Sequence, residues 1–539
     1  MSESLTTADV MAAYLAGAGV KFIFGLPGGQ NIEFMEAARR QGLEFVLACR
    51  EGTAALMADA AGQLTGVPGV CMSTLGPGST NLVNGVANAY LDRSPMIAVS
   101  GQMGTRLEAT FTHQNIDHNR LFAPITKWTT RIVPEAAASV MRRALRLAVA
   151  ERPGPVHITL NANLAAADAG DAEIALPPLG PAQRWTQSYH VAGDGTDPAR
   201  RLAGARRPVA LVGNSAVRAG AGPALKGFAE RLGCPVVVSP KAKGILPEDH
   251  AYFAGTLDMA CGKVVWDFLA SADLILAVGF DAVELISPWR LRAPVLHIDS
   301  CENTDQVYAA ETELVGSIPA ILESLADSYK GQEKWSESEV RGHREALFGL
   351  YRSGRVAGRL NPSDVVEAAR GAFPKDTIIT MDVGSHKLLV GQGWTAYEPR
   401  GVLLSNGLSS MGFALPGAIA AKMLHRDRPV VCFTGDGGLA MVHGELQLAS
   451  SLGLGLVIIV FRDDSLNRIE IKQVQKGYPT VGTRFHAGDL VGLAESLGCD
   501  GESADTPARL ADVLGRATKL NRPLLVEARI DPAQYTVQF

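Results

Sequence analysis

The 539-residue chain has only seven cysteines, and no two form a Cys-x-x-Cys pair. They are scattered and odd in number, which argues against a disulfide framework or a thiolate metal knot and predicts reduced core thiols. An excess of one charge is also missing. The formal net charge is −5, so nothing marks a binder of nucleic acid or another polyanion. No apolar run is long enough to span a bilayer. The first residues carry Glu3 and Asp9 and no basic cluster, so they read as a capped amphipathic helix and not as a secretory signal. These absences predict a cytoplasmic protein with neither membrane nor nucleic-acid partners. No short repeat is visible.

What is present is glycine, 57 residues of it, within a chain that is 47% hydrophobic and 19% charged. That composition fits a packed enzyme whose loops approach ligands closely. At roughly 100–200 residues per domain, the length suggests about three domains. Short buried strand patterns recur in three blocks. The first block, residues 1–165, has FIFG, GVCMST, PMIAVSG and PVHITL, with helices over Asn31–Gln41, Thr53–Leu64 and Asn81–Ala89. The second, 190–328, has PVALVG, PVVVSP, LILAVGF and PVLHID; the third, 361–539, has TIITMDVG, PVVCFTG, LVIIVF and PLLVEARI. The predicted class is α/β, with three doubly wound parallel sheets. Polar connections are expected over Ala165–Ser188 and Asp327–Glu345.

The strongest chemical feature is a strand–helix–strand unit. Val430–Thr434 runs into Gly435-Asp436-Gly437-Gly438, and Ile458–Phe461 runs into Arg462-Asp463-Asp464-Ser465. Met441–Leu452 between them has a helical pattern. Ligands of open α/β sheets bind at the carboxyl ends of strands, so one crossover can bring Asp436 and Asp463 together. Two carboxylates beside glycine-rich turns suit Mg²⁺ carrying phosphate oxygens. A Gly-Asp-Gly alone reads as readily as a tight turn.

A second feature lies in the first block. The strand Phe45–Cys49 leads through Arg50 to Glu51, which opens a helix, and Thr74-Leu75-Gly76-Pro77-Gly78-Ser79-Thr80-Asn81 follows downstream. A lone Glu there is explained equally by the helix dipole, worth about 0.3–1 kcal/mol.

Together these stretches resemble the thiamine-diphosphate enzymes over nearly the whole chain and in the same domain order. The resemblance implies a pyrimidine-binding first domain, a Rossmann-like middle domain and a diphosphate- and Mg²⁺-binding third domain. It implies that Glu51 bonds N1′ of the aminopyrimidine, so that the cofactor's own N4′ takes the C2 proton. Asp436, Asp463 and the Ser465 carbonyl would hold the metal. Gly435, Gly437 and Gly438, with the Val383-Gly384-Ser385-His386 turn, would wrap the diphosphate, and Thr74 would contact the cofactor. Met411 would wedge beneath the cofactor and the Ser409 carbonyl would receive the N4′ hydrogen. The usual Asn of the metal turn is here Arg462.

Gly25-Leu26-Pro27-Gly28-Gly29 and Gln114-Asn115-Ile116-Asp117 look most like acetohydroxyacid synthases, which makes Gln114 a catalytic candidate. The expected reaction is decarboxylation of a 2-oxo acid by the ylid, followed by addition of the enamine to a second carbonyl. A non-ligating 2-oxo-acid decarboxylase or a 2-hydroxyacyl (CoA) lyase is the alternative. The acidic and paired-histidine relay of simple decarboxylases is largely missing, with Gly29 and Ile469 at two of its positions. The second-substrate Arg of the synthases is replaced by Gly279, and their acceptor-pocket Trp by Lys472. The altered stretch around Gly279 places FAD in doubt. Arg468 and Lys472 are either readers of an anionic acceptor or a solvated helix face. The family implies a homodimer at minimum and points to a homotetramer.

Overall fold

The computed structural model describes residues 5–170, 173–177, 189–517 and 520–539. Most of the Ala165–Ser188 connection therefore lies outside the described residues. Three sheets follow one another along the chain, and they are dominated by parallel pairing.

The first sheet contains β1 (Phe22–Gly25), β2 (Glu44–Leu47), β3 (Gly69–Ser73), β4 (Met96–Gln102), β5 (Trp128–Arg131) and β6 (Pro155–Asn161). Its order is β2-β1-β3-β4-β6-β5, and every pair is parallel. The central strands β3, β4 and β6 are wholly buried, as continuous apolar runs between helix layers must be. The helix Glu51–Thr65 is alanine-rich and buried nearly all round. It lies so close to the helix Pro77–Leu91 that a Cβ on Gly85 would stand 2.4 Å from the Ala55 Cβ. Pro77 opens the second helix with a preset φ, and Gly66 closes the first at φ 73°.

The second sheet contains β7 (Tyr189–Gly193), β8 (Pro208–Val212), β9 (Val236–Val238), β10 (Phe253–Thr256), β11 (Leu274–Val278), β12 (Val295–Asp299) and β13 (Thr312–Gly316). Its order is β10-β9-β8-β11-β12-β13-β7, with only β7 antiparallel. The third contains β14 (Ile378–Met381), β15 (Val402–Leu404), β16 (Val430–Gly435), β17 (Val457–Arg462), β18 (Asp500–Ala504) and β19 (Leu524–Arg529), in the order β15-β14-β16-β17-β19-β18. By its contacts the chain forms two compact units. One holds the first sheet together with Leu408–Ser410 and Ile419–Leu424; the other holds the second and third sheets.

Three expectations need correction. The helix expected over Met441–Leu452 is shorter, Glu445–Ser451 with Gly444 at its N-cap, and a separate short helix, Asp436–Ala440, precedes it. Gly444, between the two, makes a continuous helix costly there. The Asp327–Glu345 stretch is not wholly a loop, because a helix runs Glu337–Arg352. Ser336 and Glu339 form its capping box. Trp335, just before it, is 2% exposed, packs against Phe268 in a tilted contact with ring centroids 5.0 Å apart, and lies 3.5 Å under the Arg207 guanidinium. The cysteines are not all core residues: Cys71, Cys234, Cys261, Cys432 and Cys499 are buried, Cys49 is exposed and Cys301 half-buried. Among the described residues no helix is long and apolar enough to cross a membrane.

Candidate functional site

Register decides what meets at the end of the third sheet. Gly435, the last residue of β16, pairs with Phe461, and β17 runs one residue further, so Asp436 and Asp463 follow adjacent strand ends. Asp436 accepts N–H bonds from Gly437 at 2.8 Å, Asp463 at 3.1 Å and Asp464 at 2.7 Å. The anticipated pair therefore comes together, and the Asp436 side chain itself shapes the second turn. Burial raises the Asp436 pKa. Burial and the adjacent Asp436 charge push Asp463 up to about 7. Ser465 donates its N–H to Asp463 Oδ1 at 3.3 Å and its hydroxyl to Glu470. No group of three or more His, Cys, Asp or Glu side chains converges into a metal cluster among the described residues.

Arg462, at the altered position of this turn, is fully engaged. It donates to the buried Glu527, to the Gly488 carbonyl at 2.8 Å and to Asp464 Oδ1 at 3.3 Å. It braces the turn from below the strand end.

On the other side of β16, Met381 pairs with Phe433, which sets Asp382 opposite Thr434. Asp382 is fully buried, and burial pushes its pKa up to about 6. Its Oδ1 accepts the N–H of Val383 and of Gly412, each at 2.8 Å, and its Oδ2 accepts the Thr434 hydroxyl at 3.1 Å. A Cβ on Gly438 would stand 2.6 Å from the same Oδ2. Asp382 thus ties the turn after β14 and the Gly412 loop to the end of β16, segments that carry the anticipated residues. Its position at the end of a buried strand was the available signal.

His386 lies behind two of those loops. A Cβ on Gly384 or Gly435 would meet its ring at 2.6 or 2.9 Å, so both glycines are needed. Burial lowers its pKa to about 3, and the neutral ring stacks on Phe461 at 5.4 Å. Ser385 donates to Asn467 Oδ1 at 2.8 Å, linking the β14 turn to the segment after the acidic turn. The Met411 methyl is 3.6 Å from where a Gly437 Cβ would stand. Ser409 has a left-handed φ of 54°.

In the first unit, Glu51 is the first residue of its helix and is 8% exposed. Asn81 donates to its Oε2 at 3.0 Å. A Cβ on Gly78 would be 2.9 Å from Thr74 Cγ2 and 3.2 Å from Glu51 Oε1, so Thr74 and Glu51 flank one glycine. Thr74 donates to Gln30 at 2.9 Å. Gln114 joins them through its backbone: it has φ 58°, and its carbonyl lies 2.8 Å from a Cβ position on Gly76. His118 accepts the Gly76 N–H at 3.4 Å, and burial lowers its pKa to about 4. Asn81 and His118 were not anticipated as site residues. Asn81 was visible as the polar end of the Gly76–Asn81 turn, whereas His118 carried no local pattern.

The residues that depart from the synthases also have defined places. Arg468 lies over the Phe539 ring at 4.6 Å, and burial lowers its pKa. Lys472 is exposed on the helix Asn467–Gln475, and Ile469, one turn earlier, is 48% exposed. Gly279 has φ 56°, and a Cβ there would stand 2.2 Å from the Ala216 nitrogen.

Sequence comparison matches this arrangement. Residues 5–121 match the N-terminal TPP binding domain of thiamine pyrophosphate enzymes, residues 196–325 the central domain, and residues 382–528 the C-terminal TPP binding domain. The chain belongs to the thiamine pyrophosphate enzymes. It is 32% identical to a probable acetolactate synthase large subunit of Methanocaldococcus jannaschii, covering 98% of this chain and 92% of that protein. It is 29% identical to acetolactate synthase of Bacillus subtilis, covering 97% and 93%. A probable 2-ketoarginine decarboxylase of Pseudomonas aeruginosa is also 29% identical, covering 92% and 89%. This chain is accordingly a thiamine-diphosphate-dependent, acetolactate-synthase-like enzyme of the carboligase and decarboxylase kind.

Proposed function

We propose that the enzyme decarboxylates a small 2-oxo acid and joins the remaining acyl unit to a second carbonyl compound. The supporting observation is the lack of a ready proton donor at the positions where simple decarboxylases need one. Gly29 and Ile469 stand at two of them, and neither can carry a proton. With that relay largely missing, slower protonation of the new nucleophilic carbon favours its addition to a second carbonyl.

In this reading thiamine diphosphate supplies the nucleophilic carbon and the sink for the electrons of the broken C–C bond. The chain supplies the rest. Glu51 holds a proton at the pyrimidine edge, and Asn81 fixes the orientation of its carboxyl. Thr74 and Gln114 border the same pocket. Asp436, Asp463 and the Ser465 carbonyl hold Mg²⁺. The donor set fits: two carboxyl groups, hard oxygen ligands, follow adjacent strand ends, with Asp436 Oδ2 accepting the Asp463 N–H at 3.1 Å. The turn Val383–His386 and Gly435, Gly437 and Gly438 surround the diphosphate, while Met411 and Ser409 contact the cofactor body. Assembly is proposed as a homodimer at minimum, with a homotetramer the expected form, and the location as cytoplasmic. The domain limits are proposed as 1–165, 190–328 and 361–539.

A non-ligating decarboxylase is the second reading, favoured by the similarity to the 2-ketoarginine decarboxylase. Lyase action on a 2-hydroxyacyl (CoA) substrate is the remaining form of the alternative. Incubating the enzyme with 2-oxo acids, with and without aldehydes, separates the readings. A ligated hydroxyketone supports the proposal; CO₂ with stoichiometric free aldehyde, even when an acceptor is added, overturns it.

A further inference from the structure

The second sheet is built like a dinucleotide-binding domain. From β8 the chain winds one way through β9 and β10, then returns to β11 beside β8 and winds the other way. Ligands of such sheets bind where the order reverses, at the carboxyl ends of the two central strands, with a diphosphate on the N–H groups of the first turn.

Here the crevice holds protein atoms. The turn after β8 begins Gly213-Asn214, and the Asn214 N–H is directed at Glu284, 3.0 Å from Oε1 and 3.1 Å from Oε2. The Asp281 N–H donates to the same Oε1 at 3.1 Å, and Ser239, after β9, donates its hydroxyl to Oε2. Donors from three strand ends therefore converge on one carboxylate that is 2% exposed. The backbone closes the remaining space. Ser215 N–H donates to the Gly279 carbonyl at 3.0 Å. A Cβ on Gly213 would stand 2.4 Å from Glu284 Oε1 and 2.5 Å from the Gly279 carbonyl. Asp281, also 2% exposed, adds a second acidic group beside the first. An entering diphosphate would meet two carboxyl groups and no unused N–H on Asn214.

We propose that Glu284 is a built-in substitute for the cofactor diphosphate, so that the middle sheet takes no flavin or adenine dinucleotide and keeps the crevice as a structural joint. The joint extends outward, because the Glu284 carbonyl accepts the Asn406 side-chain amide at 3.0 Å. The inference does not depend on whether the reaction ends in ligation.

The test uses the full-length enzyme loaded with thiamine diphosphate and Mg²⁺. Equilibrium dialysis against ADP and against FAD should show no saturable site tighter than about 1 mM. The protein should also purify without a flavin absorption band. Glu284→Ala should melt at a lower temperature than wild type, and formate, a free carboxylate, should restore part of the loss while chloride at equal ionic strength should not. Stoichiometric ADP or FAD binding by wild type in the micromolar range overturns the proposal. So does a folded Glu284→Ala that formate fails to restabilise. If that variant does not fold, the wild-type dialysis still decides the question.

Discussion

Asn81 donates its side-chain amide to Glu51 Oε2 at 3.0 Å, and both residues belong to adjoining, tightly packed helices. The contact leaves Glu51 Oε1 facing Gly78 and the neighbouring Thr74. Glu51→Gln preserves size and the Asn81 contact but cannot donate a carboxyl proton. Cofactor binding should persist while turnover falls by at least about 100-fold, the usual scale of a lost acid–base group. Exchange of the cofactor C2 proton, followed by NMR, is the direct readout. A near-normal exchange rate in the variant would remove Glu51 from its proposed role.

Asp436 is both a proposed metal ligand and the acceptor for three backbone N–H groups, two of them in the Asp463-Asp464 turn. Asp436→Ala should abolish Mg²⁺-dependent cofactor binding in calorimetry. Asp436→Asn can keep its oxygen on the Asp463 and Asp464 N–H groups but turns its NH2 toward the Gly437 N–H, so it should lose less stability than Asp436→Ala while still binding the metal more weakly. Unchanged cofactor affinity in both variants places the metal elsewhere.

If the pyrimidine end is held by one subunit and the diphosphate end by its partner, two dead variants can complement each other. Mixing Glu51→Gln with Asp436→Ala under conditions of subunit exchange should restore activity, because a mixed dimer holds one intact site. Light scattering of the active fraction should give at least a dimer mass. A fully active monomer contradicts this arrangement.

Much of the site was legible because it sits on buried parallel strands. Their continuous apolar runs give away the strand ends; Asp436 and Asp463 lie one residue past them, and the Val383–His386 turn begins two residues past β14. What stayed hidden depends on contacts distant in sequence. Asp382 gathers Val383, Gly412 and Thr434, a convergence that only register reveals. Polar edge strands such as β5 and β18 lack the apolar pattern that marks central strands. The helix Glu337–Arg352 is charged enough to resemble a linker, although its Ser336–Glu339 capping box was present in the sequence.

Gly279, where the family resemblance leads one to expect an arginine, is set by the backbone. Its φ of 56° already disfavours a side chain, and the Ala216 nitrogen blocks the Cβ position at 2.2 Å. Gly220, with φ 67° and open space around its Cβ position, separates the two effects. Gly220→Ala should cost about 1–2 kcal/mol from conformation alone. Gly279→Ala should cost more by at least about 1 kcal/mol, since neither backbone group can yield cheaply. Denaturant midpoints of the two variants measure the difference, and equal values would mean that the crevice has slack.

Lys243 and Glu248 form an ion pair with side chains 0% and 4% exposed, at 2.7 Å. Burial pushes the lysine pKa down and the glutamate pKa up, while their mutual attraction opposes both shifts. Thr256 accepts from Lys243 at 3.3 Å, and Glu248 accepts the Ala396 N–H at 2.9 Å. Lys243→Met should therefore strand a buried carboxylate and cost about 3–5 kcal/mol. Adding Glu248→Leu removes that charge but leaves the Ala396 N–H without its acceptor, a residual cost of about 1–3 kcal/mol. The double variant should then melt above the single one in calorimetry. If the double variant is as unstable as the single, the loss comes from packing around Lys243 and the pair contributes nothing specific as a pair of charges.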